Sequence, residues 1–182
     1  MELSALLPRV RSGDELAWEA FVRRFQGRIF GLAYHYVGQA DDAQDLAQEA
    51  FCRVYQNLER IPDPDGLVPW MLAITRNACM DHFRRRKARP QTWDIPVEEM
   101  FQLQADGADP DRQHLEAVRR DLVHTALRGL TGLNREMILL KEIQGLSLDE
   151  IARILGVPLG TVKSRSVRAR LELAEALTAM GV

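Results

Sequence analysis

Residues 147–170, SLDEIARILGVPLGTVKSRSVRAR, constrain the fold more than any other part of this 182-residue chain. Ser147 followed by Glu150 is a capping box, which predicts that a helix begins directly after the serine. Gly156 is expected to end that helix because glycine adopts a left-handed conformation at low cost, and Pro158 favours the start of a second helix. Two short helices around a tight turn are typical of a helix-turn-helix, whose second helix lies in the major groove of DNA.

The second of these helices is predicted to have two different faces. One stripe consists of Val162, Ala169 and Leu173, with Ser166 between them. Another face combines cations, a hydroxyl and apolar side chains: Lys163, Ser164, Val167, Arg168 and Leu171. Arg165 and Arg168 are the best candidates for contacts with phosphate or guanine. The alternative is an αα-hairpin with a solvated basic face. In that case the capping box, the glycine turn, the proline and the one-sided charge would all have to occur together by chance.

Charge is segregated along the chain, although the formal net charge is only −2. Residues 76–89 contain six basic side chains against one acid, residues 94–111 contain six acids and no base, and residues 153–170 contain five bases and no acid. Two cationic segments separated by an anionic one predict two nucleic-acid contacts joined by a segment that avoids nucleic acid. The distribution of charge therefore outweighs the overall pI of about 6.1 as an indicator of DNA binding.

Hydrophobic periodicity predicts an all-α protein with two small helical domains. Apolar residues recur at three- and four-residue spacing, with breaks at glycines and at a turn over 62–66, and no segment alternates as a strand would. The predicted helices are residues 3–12, 14–37, 41–58, 67–88, 113–129, 134–143, 148–155 and 159–178. Residues 90–112 combine prolines, a glycine and scattered acids, which is typical of a flexible linker. The expected domains are therefore 1–89 and 113–182, joined by this acidic linker.

The same periodicity predicts which side chains are buried in the first domain. The third predicted helix has an apolar stripe of Leu46, Ala50, Val54 and Leu58. In the fourth, the side chains expected to pack inward are Trp70, Ile74 and Ala78, with Met71 as a further candidate. Cys52 and Cys79 also occupy apolar-face positions, so both thiols are expected to be buried and inert, and they form neither a disulfide framework nor a metal-ligand spacing.

Several function classes have no support in the sequence. The histidines are isolated and fit neither a metal site nor a Ser or Cys triad, so no enzyme activity, catalytic residue, metal or cofactor is expected. No apolar run approaches membrane-spanning length, and the N-terminal residues MELSALLPRVRSGDE lack a signal-peptide pattern. A cytoplasmic protein without membrane insertion is therefore expected.

Both halves together resemble the extracytoplasmic-function (ECF) sigma factors of bacterial RNA polymerase. DAQDLAQEAFCRVYQNL (42–58) resembles the family's helix that docks on the polymerase clamp, and PWMLAITRNACMDHFRRR (69–86) resembles its promoter-melting helix. LNREMILLKEIQGLSLDEIARILGVPLGTVKSRSVRARLEL (133–173) resembles the fourth sigma domain. The resemblance implies a subunit without chemistry of its own that binds core RNA polymerase, recognises promoter DNA and opens it. The alternative is an autonomous helix-turn-helix repressor or activator, which would bind an operator without polymerase.

The resemblance also implies three functional surfaces. Basic side chains of the polymerase clamp would meet Asp45, Gln48 and Glu49. A DNA strand would be held, near a base-binding pocket beneath residues 61–68, by Arg76, Asn77, Met80, Arg84 and Arg85. The upstream promoter element would be contacted by Lys163, Ser164, Arg165, Val167 and Arg168. On the second surface the amide suits base edges, whereas the arginines suit phosphates.

The chain departs from the family pattern at three positions. Thr131 stands where relatives often have a proline, Ala73 where they have an aromatic residue, and Val167 where they frequently have a larger side chain. These departures bear on promoter preference more than on the fold. Sigma factors of this type are usually held by an anti-sigma factor, so such a partner is expected. A further hypothesis is that the acidic segment 94–111 pairs with both cationic domains in the free protein.

Overall fold

The computed structural model describes residues 2–85, 122, 125–127 and 129–181. The chain divides into two compact units, Met1–Pro96 and Val97–Val182. Every regular element in the described residues is helical, which confirms the all-α class and the two helical domains. The acidic linker 90–112 lies outside the described residues, and so does the hypothesis that it pairs with the domains. The expected boundaries at 89 and 113 therefore stay predictions.

The described part of the first unit is a bundle whose shared core lies between long helices. Its elements are α1 (Leu3–Arg11), α2 (Glu15–Val37), α3 (Ala40–Tyr55), a 3-10 turn (Leu58–Arg60) and α4 (Pro64–Arg85). α2 begins where the Asp14 carboxylate accepts a hydrogen bond from the Ala17 N–H at 3.1 Å, and it ends at Gly38, whose φ is 73°. The core shared by α2, α3 and α4 includes Phe21, Phe25, Ile29, Leu32, Leu46, Ala50, Val54, Leu67 and Met71.

α4 differs from its prediction at its start and on its buried face. It begins at Pro64, inside the predicted turn, since a proline in the first turn needs no partner for a backbone N–H. Its buried residues are Leu67, Met71, Leu72, Thr75, Ala78 and Cys79. The inward prediction is confirmed for Ala78 and for the further candidate Met71, and it is wrong for Trp70 and Ile74, which are only half-buried. Apolar side chains surround this helix between residues 67 and 74, so periodicity alone marks no single stripe.

The two cysteines lie in different environments. Cys79 is buried, and burial raises the pKa of its thiol to about 12, which makes it a poor nucleophile. Cys52 is exposed, so the prediction that it is buried is wrong. It lies between Ala50 and Val54 of the buried stripe, and an offset of two residues turns a side chain to the other side of a helix.

The described part of the second unit contains the helix-turn-helix. α5 (Gly132–Ile138) continues into a π-helical turn (Leu139–Ile143), so the single helix expected over 134–143 is two elements. The N–H of Gln144 donates to the Leu139 carbonyl at 2.8 Å and closes that wider turn. α6 (Leu148–Leu155) and α7 (Leu159–Ala179) follow, and α7 packs against both α5 and α6. The buried residues of this unit include Met137, Leu140, Ile151, Val162 and Ala169.

The turn of the helix-turn-helix has the local structure that its sequence predicts. The Glu150 N–H donates to the Ser147 hydroxyl at 3.3 Å, and the Ser147 N–H donates to the Glu150 carboxylate at 2.7 Å, which completes the capping box. Gly156 has a φ of 66°, in the left-handed region where a side chain would be strained. Pro158 is the N-cap of α7, one residue before its first helical position.

Candidate nucleic-acid interface

The predicted basic face of α7 is exposed. Lys163, Ser164, Val167 and Arg168 lie outward, while the buried stripe is Val162, Ser166 and Ala169. In the part of the chain that the structure describes, neither Lys163 nor Arg168 forms an ion pair. The Ser164 hydroxyl donates to the Thr161 carbonyl at 3.0 Å. This face therefore presents two cations that no described carboxylate neutralises.

Arg165 lies in a different environment from its neighbours on α7. It is half-buried, and its charge interacts with Glu136 of α5, a carboxyl that is only 6% exposed. Burial raises the pKa of Glu136 to about 7, and the positive charge of Arg165 opposes that rise. Glu136 was not predicted as a residue of this site from the sequence. The available signal was a charged pair, Arg135 and Glu136, placed directly before a run of four apolar residues.

Two further side chains of α7 hold it against the preceding elements. The Glu172 carboxylate accepts hydrogen bonds from the Thr131 N–H at 2.9 Å, the Thr131 hydroxyl at 3.4 Å and the Asn134 amide. Arg170 pairs with Glu142 at 2.8 Å. Thr131 is the N-cap of α5 and makes no capping bond with its own side chain, but its own N–H is satisfied by Glu172 from a distant helix. A proline at this position would lack the N–H that Glu172 accepts.

The second predicted surface, on α4, is not uniform. Asn77, Arg84 and Arg85 are exposed, whereas Arg76 and Met80 are half-buried. Burial lowers the pKa of Arg76 from its ordinary value. The structure therefore brings the amide and two of the three arginines to the outside.

An ion-pair network joins α4 to α3. Arg85 lies 3.4 Å from Glu49, and Arg84 lies 3.2 Å from Asp81. Arg53 bridges the two carboxylates, at 2.5 Å from Glu49 and 3.2 Å from Asp81. Burial opposes the charge of Arg53, but its hydrogen bonds to both carboxylates raise its pKa overall. We call these five residues the α3–α4 network.

Of the three residues predicted to contact polymerase, only one belongs to the α3–α4 network. Asp45 and Gln48 are exposed, but the side chain of Glu49 is only 34% exposed and already binds two arginines. Its partners lie 4 and 36 residues away. The nearer one could be recognised as a helical i,i+4 pair, whereas the distant one gives no local signal.

The segment before α4 is held by a residue that sequence reasoning also missed. Arg11, in the last turn of α1, donates from its Nη2 to the Ile61 carbonyl at 2.8 Å and to the Asp63 carboxylate at 2.9 Å. Ile61 itself is buried. Residues 61–68, beneath which the base-binding pocket is expected, are thus attached to α1 through one arginine.

Two family models match the chain. Sigma-70 region 2 matches residues 21–89, and Sigma-70, region 4 matches residues 120–173. The RNA polymerase sigma-H factor of Pseudomonas aeruginosa is 33% identical over 177 residues, which cover 94% of this chain and 92% of that protein. The ECF RNA polymerase sigma-E factor of Escherichia coli K12 is 32% identical over 170 residues, or 91% and 88% of the two chains. The chain belongs to the ECF sigma factors.

Solved structures show the same fold. CnrH in complex with the cytosolic domain of CnrY has a TM-score of 0.64 and 25% identity, with 97% of both chains covered. The sigma factor RpoE in complex with the anti-sigma factor NepR from Bartonella quintana has a TM-score of 0.67 and 24% identity, with 88% of this chain and 96% of that chain covered.

As an ECF sigma factor, this protein binds core RNA polymerase and directs it to promoters. The autonomous regulator considered as the alternative is not favoured. The region 2 match includes most of α2 and all of α3 and α4, so the α3–α4 network lies within it, and the region 4 match includes α6, the turn and most of α7.

Among the described residues, no helix combines the length and apolar character needed to cross a membrane.

Proposed function

We propose that this sigma factor recognises the upstream promoter element through the exposed face of α7. The observation that carries the proposal is the pair of cations, Lys163 and Arg168, that no described carboxylate neutralises. Arg168 can donate two parallel hydrogen bonds to O6 and N7 of a guanine, while Lys163, nearer the helix start, suits phosphate oxygens. Ser164 can donate to a phosphate only by exchanging the hydrogen bond that its hydroxyl makes to the Thr161 carbonyl. The half-buried Arg165 contributes to the same surface, and its charge also interacts with Glu136.

We assign strand opening to α4. Taking a base out of the stack costs a few kcal/mol, which binding of the extruded base must offset. Asn77 is exposed and has the donor and the acceptor that a base edge requires. Arg84 and Arg85 are exposed and can follow the phosphates, whereas Arg76 and Met80 are half-buried on the same helix.

Polymerase docking is assigned to α3. Asp45 and Gln48 are exposed, and carboxylates facing the basic clamp would steer association and fix its register. Glu49 has a second task in this proposal because it already binds Arg85 across the α3–α4 network. A basic side chain of the clamp that approaches Glu49 competes with Arg85, so docking would release that arginine for DNA.

The proposed mode of action is binding without catalysis. A protein inhibitor is the expected further partner, since the structures of CnrH and RpoE were determined with the cytosolic domain of CnrY and with the anti-sigma factor NepR. The proposed site of action is the cytoplasm. The proposed functional division is 1–89 for polymerase binding and strand opening, 90–112 as the linker, and 113–182 for the upstream element.

The experiment that tests the assignment is transcription in vitro with core RNA polymerase on a promoter library whose upstream and downstream elements are randomised. Wild type should enrich one upstream and one downstream sequence. Arg168→Ala should lose enrichment of the upstream sequence only, and Asn77→Ala should bind duplex promoters but open them poorly, as permanganate footprinting detects. Arg28→Ala, an exposed arginine on α2 outside the three assigned surfaces, is the control and should behave like wild type. Specific duplex binding by the protein alone, equal to that of the holoenzyme, would instead support an autonomous regulator.

A further inference from the structure

The exposed face of α7 carries apolar side chains among its cations. Val167 and Leu171 are each 60% exposed, and they lie one helical turn apart. Isolated exposed apolar residues are ordinary on protein surfaces and need no explanation by themselves. Val167 is different because it lies directly beside Arg168 and one turn after Lys163, on the face assigned above to DNA.

The chemistry of the major groove limits what Val167 can recognise. Its side chain has no donor or acceptor, so it cannot take part in the hydrogen bonds that distinguish most base edges. The major-groove edges of adenine, guanine and cytosine present polar groups, and the one apolar group there is the C5 methyl of thymine. Desolvating a polar edge against valine would cost free energy, whereas covering a methyl group gains it.

We propose that Val167 is a specificity-determining residue that selects thymine in the upstream element through contact with its C5 methyl. The adjacent Arg168 and the nearby Lys163 favour DNA over a protein as the occupant of this surface, because phosphates supply the negative charge that these two cations lack among the described residues. The inference rests on the proposed role of α7 in binding the upstream element.

Leu171 provides the internal control. It has the same exposure as Val167 but lies a turn further from the start of α7, and base contacts of a recognition helix come from its N-terminal part. Truncating Leu171 removes a comparable apolar surface without removing the proposed thymine contact. The two variants therefore separate loss of base reading from a general loss of apolar surface.

The experiment begins with the upstream sequence that the wild-type holoenzyme enriches from a randomised duplex library. Each thymine of that sequence is replaced in turn by 2′-deoxyuridine, which pairs identically but lacks the C5 methyl. At one position the replacement should weaken wild-type holoenzyme binding by about fourfold, the ratio expected for one buried methyl-sized group. Val167→Ala should bind the thymine and deoxyuridine duplexes with equal affinity, and Leu171→Ala should keep the wild-type difference.

Three results would overturn the inference while the proposed function stands. The first is an enriched element in which no thymine is sensitive to replacement by deoxyuridine, and the second is a sensitivity that persists in Val167→Ala. The third is a loss of activity in Val167→Ala that is equal on every upstream sequence, which would assign the residue to a protein contact. Failure to enrich any upstream sequence, in contrast, removes the proposed role of α7 and the inference with it.

Discussion

The cations of α7 and α4 lie on the two helices assigned to DNA, but they differ in what surrounds them. Lys163 and Arg168 of α7 have no described carboxylate as partner, whereas Arg84 and Arg85 of α4 are bound to Asp81 and Glu49. A count of basic residues along the chain would rank the two helices as similar. The difference shows that a cationic surface is defined by its counter-charges as much as by its lysines and arginines.

Arg168→Ala is expected to produce the largest effect on DNA binding and to distinguish the roles of α7 and α4 most clearly. If Arg168 makes a bidentate contact with guanine, its loss should cost about 1–3 kcal/mol in binding of the upstream element by the holoenzyme. Competition binding against promoters with altered upstream bases measures this directly. Arg28→Ala, the control on α2, should change affinity little. An equal loss in the control variant would mean that only general charge is involved.

Glu136→Gln tests a cation of α7 that does interact with a described carboxyl, the half-buried Arg165. The pKa of Glu136 is raised from 4.5 to about 7 because it is buried, with Arg165 opposing the rise. Between those values the folded state holds more protons than the unfolded state, so wild-type stability should fall as the pH rises from about 4.5 through about 7. Glu136→Gln does not lose stability in this way, and above pH 7 its free energy of unfolding should exceed that of wild type by on the order of 2 kcal/mol.

The measurement is hydrogen exchange of α5 and α7 amides in the full-length protein, with wild type and variant compared at each pH so that intrinsic exchange rates cancel. A stability difference between the two proteins that does not vary with pH would contradict the prediction. So would a difference of the opposite sign at high pH.

Glu172→Ala tests how α7 is held against α5. The variant removes the carboxylate that accepts from Thr131 and Asn134, and it should lower the free energy of local unfolding of α5 by about 1 kcal/mol. Glu175→Ala, an exposed acid on the same helix, is the matched control. Faster exchange of α5 amides in Glu172→Ala than in Glu175→Ala is the expected result, and equal rates would show that the apolar contacts alone position α7.

Asp81→Asn should have the smallest effect, and it tests the α4 side of the comparison. The variant removes the negative charge that pairs with Arg84 and Arg53. The free protein should therefore bind duplex DNA about two- to fivefold more tightly, in keeping with the small energies of exposed ion pairs. The dependence of binding on salt should become steeper as more arginines reach phosphates. Glu19→Gln, which breaks the exposed pair with Arg23 on α2, is the control. Unchanged binding would mean that the α3–α4 network does not restrain these arginines.

Much of the helix-turn-helix could be predicted from the sequence because its determinants are local. The capping box at Ser147, the left-handed Gly156 and the buried stripe through Val162 and Ala169 each depend on residues a few positions apart. The exposed positions of Lys163 and Arg168 follow from the same helical period. The buried side chains of α4 could not be predicted in this way, since the apolar residues around its first half allow several faces to pack inward.

The sequence by itself determined the helical class, most helix boundaries, the outward face of α7 and, through its motifs, membership of the ECF sigma factors. Tertiary structure alone decided which charged side chains find partners on distant elements. Arg85 meets Glu49 across 36 residues, Glu172 meets Thr131 across 41, and Arg11 meets Ile61 across 50. The physical reason is that helical periodicity sets the direction of each side chain around its own axis, whereas the partner it finds depends on how distant helices pack together.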